Sequence, residues 1–236
     1  IDVYGHLRKD VNSDIWLLGA ASTRTQNGDN YIDFEYFRED VTYSSTNGLN
    51  FVGSNCGHTA YKFNVVTGEV ENDGDVILSV NYINGGTKAE FRFYVWIDSN
   101  ELKKLAGDPQ TLSEADFIAY NNLPNKRFDF GNGQNGDYEN YKYEFYPCNN
   151  DSKNPFGYAR ISLKSNNSIF AQDNTADVVD APSWGTIGTD GTVSYSYEKL
   201  NFLEFALNTT LLGLDGTLTN NACSKPLGTV IVKTRT

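Results

Sequence analysis

Methionine is absent from this chain, histidine occurs only as His6 and His58, and cysteine only as Cys56, Cys148 and Cys223. The missing methionine predicts that Ile1 is a processed or excised terminus, with any signal peptide already removed. Two histidines and no Gly-x-Ser-x-Gly elbow leave nucleophilic catalysis with few candidates. Gly131, Gly133 and Gly136 lack the Gly-Lys-Ser/Thr ending that a phosphate loop needs. No apolar run approaches the ~20 residues of a membrane span; the longest, Ile15–Ala21, has seven residues and contains Gly19. No cluster of Lys and Arg relieves the formal net charge of −11, so nucleic acid is not an expected partner. The acidity suits a soluble extracellular domain.

Three cysteines permit at most one internal bridge. Cys148 and Cys223 sit in turn-like polar surroundings, so a Cys148–Cys223 disulfide is expected, worth about 4 kcal/mol in the chain-entropy picture. Cys56 is then a free, buried thiol. Its closeness to His58 has the spacing of a thiol–imidazole pair, but on a short Gly-flanked loop this reads as coincidence.

What is present in abundance is period two. Val76, Leu78, Val80 and Tyr82 alternate with Ile77, Ser79 and Asn81; beyond Ile83-Asn84-Gly85-Gly86, Ala89, Phe91, Phe93 and Val95 alternate with Lys88, Glu90 and Arg92. This predicts a β-hairpin with one buried and one wet face. A second hairpin is expected from Trp16–Ala21 and Tyr31–Phe37 around Asn27-Gly28. Phe51-Val52, Ala60–Val66, Tyr141–Tyr146, Tyr158–Leu163, Thr192–Tyr197, Phe202–Leu207 and Thr229–Lys233 read as further strands. The fold class is therefore all-β, a two-sheet antiparallel sandwich of jelly-roll type, in one domain over 1–236. A small helical insertion around 99–122 interrupts it: Leu102, Leu105, Leu112, Ala115, Ile118 and Ala119 have helical spacing, and Ser113 with Asp116 makes a capping-box-like start. Phe128–Asp137 reads as an exposed loop.

Several constellations could carry function. Asp33 and Glu35 project from one strand face about 7 Å apart, and the strand resembles the Glu-x-Asp-x-Glu strand of jelly-roll glucanases. Position 31 holds Tyr31, so the nucleophile of that pattern is missing, and the two acids read as framework residues paired with Arg24. Asp173, Asp177 and Asp180, and again Asp73 and Asp75, offer hard oxygens of the kind calcium takes, against the plainer account of solvated acidic turns. Trp184, in a loop, and Tyr143, on a strand face, are the aromatics a glycan would stack on.

Asp2-Val3-Tyr4-Gly5-His6, Asp14–Ala20, Thr23–Gly28, Tyr31–Tyr36, Gly74–Leu78, Asn84-Gly85-Gly86 and Val95-Trp96, with a tail from Phe205 through Asn208 and Cys223 to Val232–Arg235, resemble a recurrent domain of large secreted bacterial cell-surface, adhesin-like proteins. The resemblance covers residues 1–98 and about 190–236; residues 99–190 form an insertion. It implies export, cell-surface attachment and a fragment of a longer surface protein, with no catalytic residue to carry over. The expected function is a non-enzymatic structural or adhesive module needing no cofactor. Its expected partners are neighbouring domains or protein chains, including a second copy in a homo-oligomer, met through the 99–190 insertion. The alternative is a carbohydrate-binding module, with a glycan partner and calcium.

Overall fold

In a computed structural model, the residues described are 2–23, 30–83, 88–108, 110–131, 144–163, 168–175, 177–212 and 228–235. Arg24, Tyr143, Cys223 and the turns at 24–29 and 84–87 lie outside them. In chain order the strands are β1 (Val3–Lys9), β2 (Ile15–Ser22), β3 (Asn30–Phe37), β4 (Val41–Ser44), β5 (Gly48–Phe51), β6 (Lys62–Phe63), β7 (Val70–Asn72), β8 (Val76–Ile83), β9 (Lys88–Asp98), β10 (Phe128–Phe130), β11 (Phe145–Pro147), β12 (Phe156–Leu163), β13 (Ile169–Asp173), β14 (Val179–Asp180), β15 (Thr186–Ile187), β16 (Val193–Ser194), β17 (Ser196–Tyr197), β18 (Phe202–Asn208) and β19 (Thr229–Arg235); α1 (Ser99–Ala106) and α2 (Glu114–Asn121) follow β9.

Two antiparallel sheets make the sandwich. The smaller has the order β1-β2-β18-β13; the larger runs β10-β12-β9-β8-β3-β19, with β11 also paired to β12. Each contributes its alternating apolar row to one core: Leu17, Ala21, Leu203, Phe205 and Leu207 from the smaller, and Ile32, Phe34, Val76, Leu78, Phe93 and Val95 among those from the larger. The Phe34 and Phe205 rings meet edge to face across the interface at 4.8 Å, a geometry the ring quadrupoles favour.

The β8–β9 pair is as expected, with Val80 opposite Phe91 and Leu78 opposite Phe93. The second hairpin is corrected: β2 pairs with β1 and β18, and β3 with β8 and β19. Both strands alternate, but their apolar rows close the core from opposite sides, so the chain changes sheet between them. Nor is residues 128–130 a loop. Phe128 and Phe130 are buried and pair opposite β12; a three-residue strand is too short to register as a periodic pattern.

The helical insertion is present as two helices. Asp98 caps α1 by accepting from Asn100 N–H, and Ser113 caps α2 by accepting from Asp116 N–H, filling donors a helix start leaves open. Leu102 and Leu105 are buried as their spacing implies, whereas α2 buries Phe117 and exposes Ile118. Buried Lys126 donates to the carbonyl of Tyr120 at 3.0 Å and pairs with Asp129 at 3.3 Å. It places a cation at the α2 C-terminus, where the helix dipole is negative.

Candidate functional site

Because β3 turns Ile32, Phe34 and Tyr36 inward, it presents Tyr31, Asp33, Glu35 and Phe37 on the outer face of the larger sheet. The register continues that face. Asp33 stands beside Ser79 and Lys233, Glu35 beside Ile77 and Ile231, and Trp96 beside Tyr158. The face expected to be wet is largely covered: Asp33 is 6% exposed, Glu35 1%, and Ser79 and Asn81 are buried.

Burial of these carboxylates is matched by donors. Glu35 Oε1 accepts from the Tyr158 hydroxyl at 2.7 Å, and Oε2 accepts from Lys233 Nζ. Asp33 Oδ1 accepts from the Ser79 hydroxyl at 2.6 Å. Asp75 Oδ1 accepts from Arg38 N–H at 2.9 Å; its Oδ2 accepts from Thr59 N–H at 3.1 Å and lies 3.0 Å from His58 Nδ1. A carboxylate only accepts, so this contact places the imidazole proton on Nδ1. The His58 ring stacks on Trp96 with centroids 4.0 Å apart and on Phe37 at 5.2 Å. Burial, reinforced by the charges of Glu35 and Asp75, pushes the Tyr158 phenol well above its ordinary range. Tyr158 therefore serves as a neutral donor.

Further along the face, Arg160 pairs with Glu144 at 2.7 Å and Arg92 with Glu90 at 2.8 Å. Burial alone would raise the Glu144 carboxyl, but the hydrogen bond and charge of Arg160 prevail and hold it below the usual carboxylate range.

His58 is delivered by a tight loop. Gly53 bridges to Gly57 and Asn55 to His58, and Gly57, at φ +83, adopts a backbone that suits glycine. This loop carries the disulfide, which joins Cys56 to Cys148 with Cα atoms 6.5 Å apart. The expected Cys148–Cys223 bridge and free Cys56 are thereby corrected. The polar setting of Cys148 in the sequence pointed to a bridge but not to a partner: Cys148 follows β11, which pairs with β12, while Tyr61, after the Cys56 loop, bridges to Ile97 of β9, and it is the pairing of β12 with β9 that relates the two.

Asp33 and Glu35 do share a face; their expected partner Arg24 lies outside the described residues, as does Tyr143. Asp73, expected among hard-oxygen ligands, pairs with Arg38 at 2.9 Å. Asp173 ends β13 and accepts from Thr175 N–H, the Asp177 carbonyl accepts from Asn174 Nδ2, and Asp180 lies on β14. Among the described residues, no group of three or more His, Cys, Asp or Glu is placed to hold a metal ion. Trp184 is 74% exposed. Tyr158, Trp96 and Lys233 were not legible as site residues: Tyr158 and Glu35 are 123 positions apart, Lys233 and Glu35 198. No local pattern spans such distances.

The arrangement is suited to holding strands together. A general acid or base needs an oxygen or nitrogen within reach of a substrate proton; Glu35 and Asp75 have both carboxylate oxygens occupied by protein donors. No protein-family model, no curated protein and no solved structure matches this chain.

Proposed function

We propose that this chain is a non-catalytic extracellular module of a bacterial surface protein, with a structural or adhesive role. The observation that carries the reading is the coverage of Glu35 and Asp33, the two acids a hydrolase of this strand pattern would expose. The Cys56–Cys148 bond supports export, since such bonds persist in oxidising compartments. The resemblance to adhesin-like proteins supports the surface location. Exposed Ile118, Val178, Trp184 and Ile187 in the 99–190 insertion support contact with neighbouring chains, domains or a second copy. The test is incubation of the purified chain with polysaccharide and ester panels. No turnover is expected; turnover abolished by Glu35→Gln would end the proposal.

A second reading, a carbohydrate-binding module, is favoured by the exposed Trp184 indole. Two positions further along the chain, Thr186 joins Thr192 and Ser194 in lining a hydroxyl-rich hollow of about 240 Å³. A glycan array run with and without calcium tests both the binding and its metal dependence, with Trp184→Ala expected to weaken any hit.

A further inference from the structure

The outer face of the smaller sheet carries a trough of about 700 Å³. Two cross-strand rows build it. One runs His6, Leu18, Ala206, Phe170; the next runs Tyr4, Ala20, Glu204, Gln172. The middle strands β2 and β18 supply the low side chains Leu18, Ala20 and Ala206, while the outer strands β1 and β13 supply tall ones. The result is a channel parallel to the strands, floored by Leu18, Ala20 and Ala206 with Glu204 rising from β18 beside Ala20, and walled by Tyr4 and His6 on one side and Phe170 and Gln172 on the other. Toward one end stands Trp16, its ring 5.9 Å from that of Phe170. From Ala20 to Trp16 the channel is about 13 Å long at the rise of a strand.

The walls are held before any ligand arrives. Trp16 Nε1 donates to Asp10 at 3.0 Å, the Tyr4 and Tyr197 hydroxyls lie 2.7 Å apart, and Gln172 donates to Glu204. Phe170 is nevertheless 57% exposed, a large apolar ring left in water on a scaffold that fixes its neighbours. Ordering these groups in advance lowers the cost of binding.

We propose that this trough binds a short, uncharged oligosaccharide. The proposal rests on the reading of the chain as a non-catalytic adhesive module and names the class of its partner. Glu204 decides the chemistry. A carboxylate only accepts hydrogen bonds, so its remaining lone pairs call for O–H or N–H donors, and a sugar edge supplies O–H donors in series together with C–H faces for the aromatic walls. An alkyl chain in the same place would strip Glu204 of water and give nothing back. An anionic ligand meets Glu204 and a chain of net charge −11, and the lining itself holds no Lys or Arg; Arg8 stands only at the far end, opposite Trp16. Phe170 and Trp16 offer flat apolar surfaces to the C–H faces of the rings.

The experiment uses the full chain on an array of neutral gluco-, xylo-, galacto- and N-acetylglucosamine oligosaccharides, followed by titration of the best hit. Phe170→Ala should weaken binding about tenfold, the scale of one aromatic contact. Ala206→Trp, which fills the channel from its solvent side, should abolish it, with thermal unfolding unchanged in both. A folded chain that binds no oligosaccharide overturns the proposal, as does binding that survives Ala206→Trp. Loss of binding on Trp184→Ala alone moves the glycan to the other site and leaves the adhesive reading standing. Cleavage of the bound sugar that is lost on Glu35→Gln ends the non-catalytic reading, while the trough stands or falls on Ala206→Trp.

Discussion

Tyr158 and Glu35 meet at 2.7 Å although β8 and β9 lie between their strands. Three strand spacings put the backbones about 14 Å apart, so the two side chains must lean toward each other across the face. Lys233, from the edge strand β19, reaches the same carboxylate. One buried acid thus ties the edge of the larger sheet to its far side.

Removing that acid tests the frame. Glu35→Ala leaves Tyr158 without its acceptor and should lower unfolding stability by about 1.5–3 kcal/mol, the range for a hydrogen bond to a charged group. Lys233 is 45% exposed at its side chain but the carboxylate it serves is 2% exposed, so Lys233→Ala leaves Glu35 Oε2 buried without its donor and should cost about 1–3 kcal/mol. Denaturant midpoints compare the two; a neutral Glu35→Ala would mean that this carboxylate holds nothing.

The cysteines can be counted. With Cys56 bonded to Cys148, alkylation of the unfolded, unreduced chain should label one thiol, at Cys223. Closing a loop of 92 residues predicts that Cys148→Ser lowers stability by about 4–5 kcal/mol in the chain-entropy picture. A peptide map showing Cys148 joined to Cys223 would refute the assignment.

Alkaline pH should unfold the protein cooperatively. Burial raises the phenols of Tyr36, Tyr61 and Tyr158, with the Glu35 and Asp75 charges adding to Tyr158 and the Asp73 charge to Tyr61. A raised phenol keeps its proton in the folded state. Its contribution is complete below the unfolded value of about 10 and is lost as pH climbs from there toward the folded value. Melting temperature should fall steeply above about pH 10, with phenolate absorbance appearing together with unfolding, and Tyr158→Phe should make the fall shallower. Phenolate from these residues in a still-folded chain would contradict their burial.

Two glycines opposite each other on β1 and β2 should differ. Gly5 and Gly19 are register partners, but a Cβ at Gly19 would run into the Phe205 ring, whereas one at Gly5 meets open space. Gly19→Ala should cost about 1–3 kcal/mol by overpacking, and Gly5→Ala should be neutral or slightly stabilising. Equal effects in thermal melts would show that Phe205 does not lie over Gly19.

Lys126 offers a last comparison. It is buried and pairs with Asp129 while donating to the Tyr120 carbonyl, so Lys126→Ala should destabilise by about 3–5 kcal/mol, the cost of leaving a buried charge uncompensated. A chemical-denaturation midpoint unchanged from the parent would remove it from the list of framework residues.

By itself the sequence determined the class of structure and part of its strand set; β1, β4 and β13 were not read from it, and β10 was read as a loop. The alternation of Val76–Val80 with Phe91–Val95, and the Ser113–Asp116 cap, are local facts of backbone geometry, and both stand where the pattern put them. Which strand lies beside which was a different matter. A period-two segment states that it has a core face, not which sheet it joins, so Tyr31–Phe37 resembled a partner of Trp16–Ala21 yet faces it across the core. The same limit governed the site. Asp33 and Glu35 were visible as a pair, but their covering and their partners, and the choice of Cys56 for Cys148, depend on contacts between residues far apart in the chain. Only the packing of two sheets, which must bury every apolar row at once while satisfying each polar group it covers, decided those.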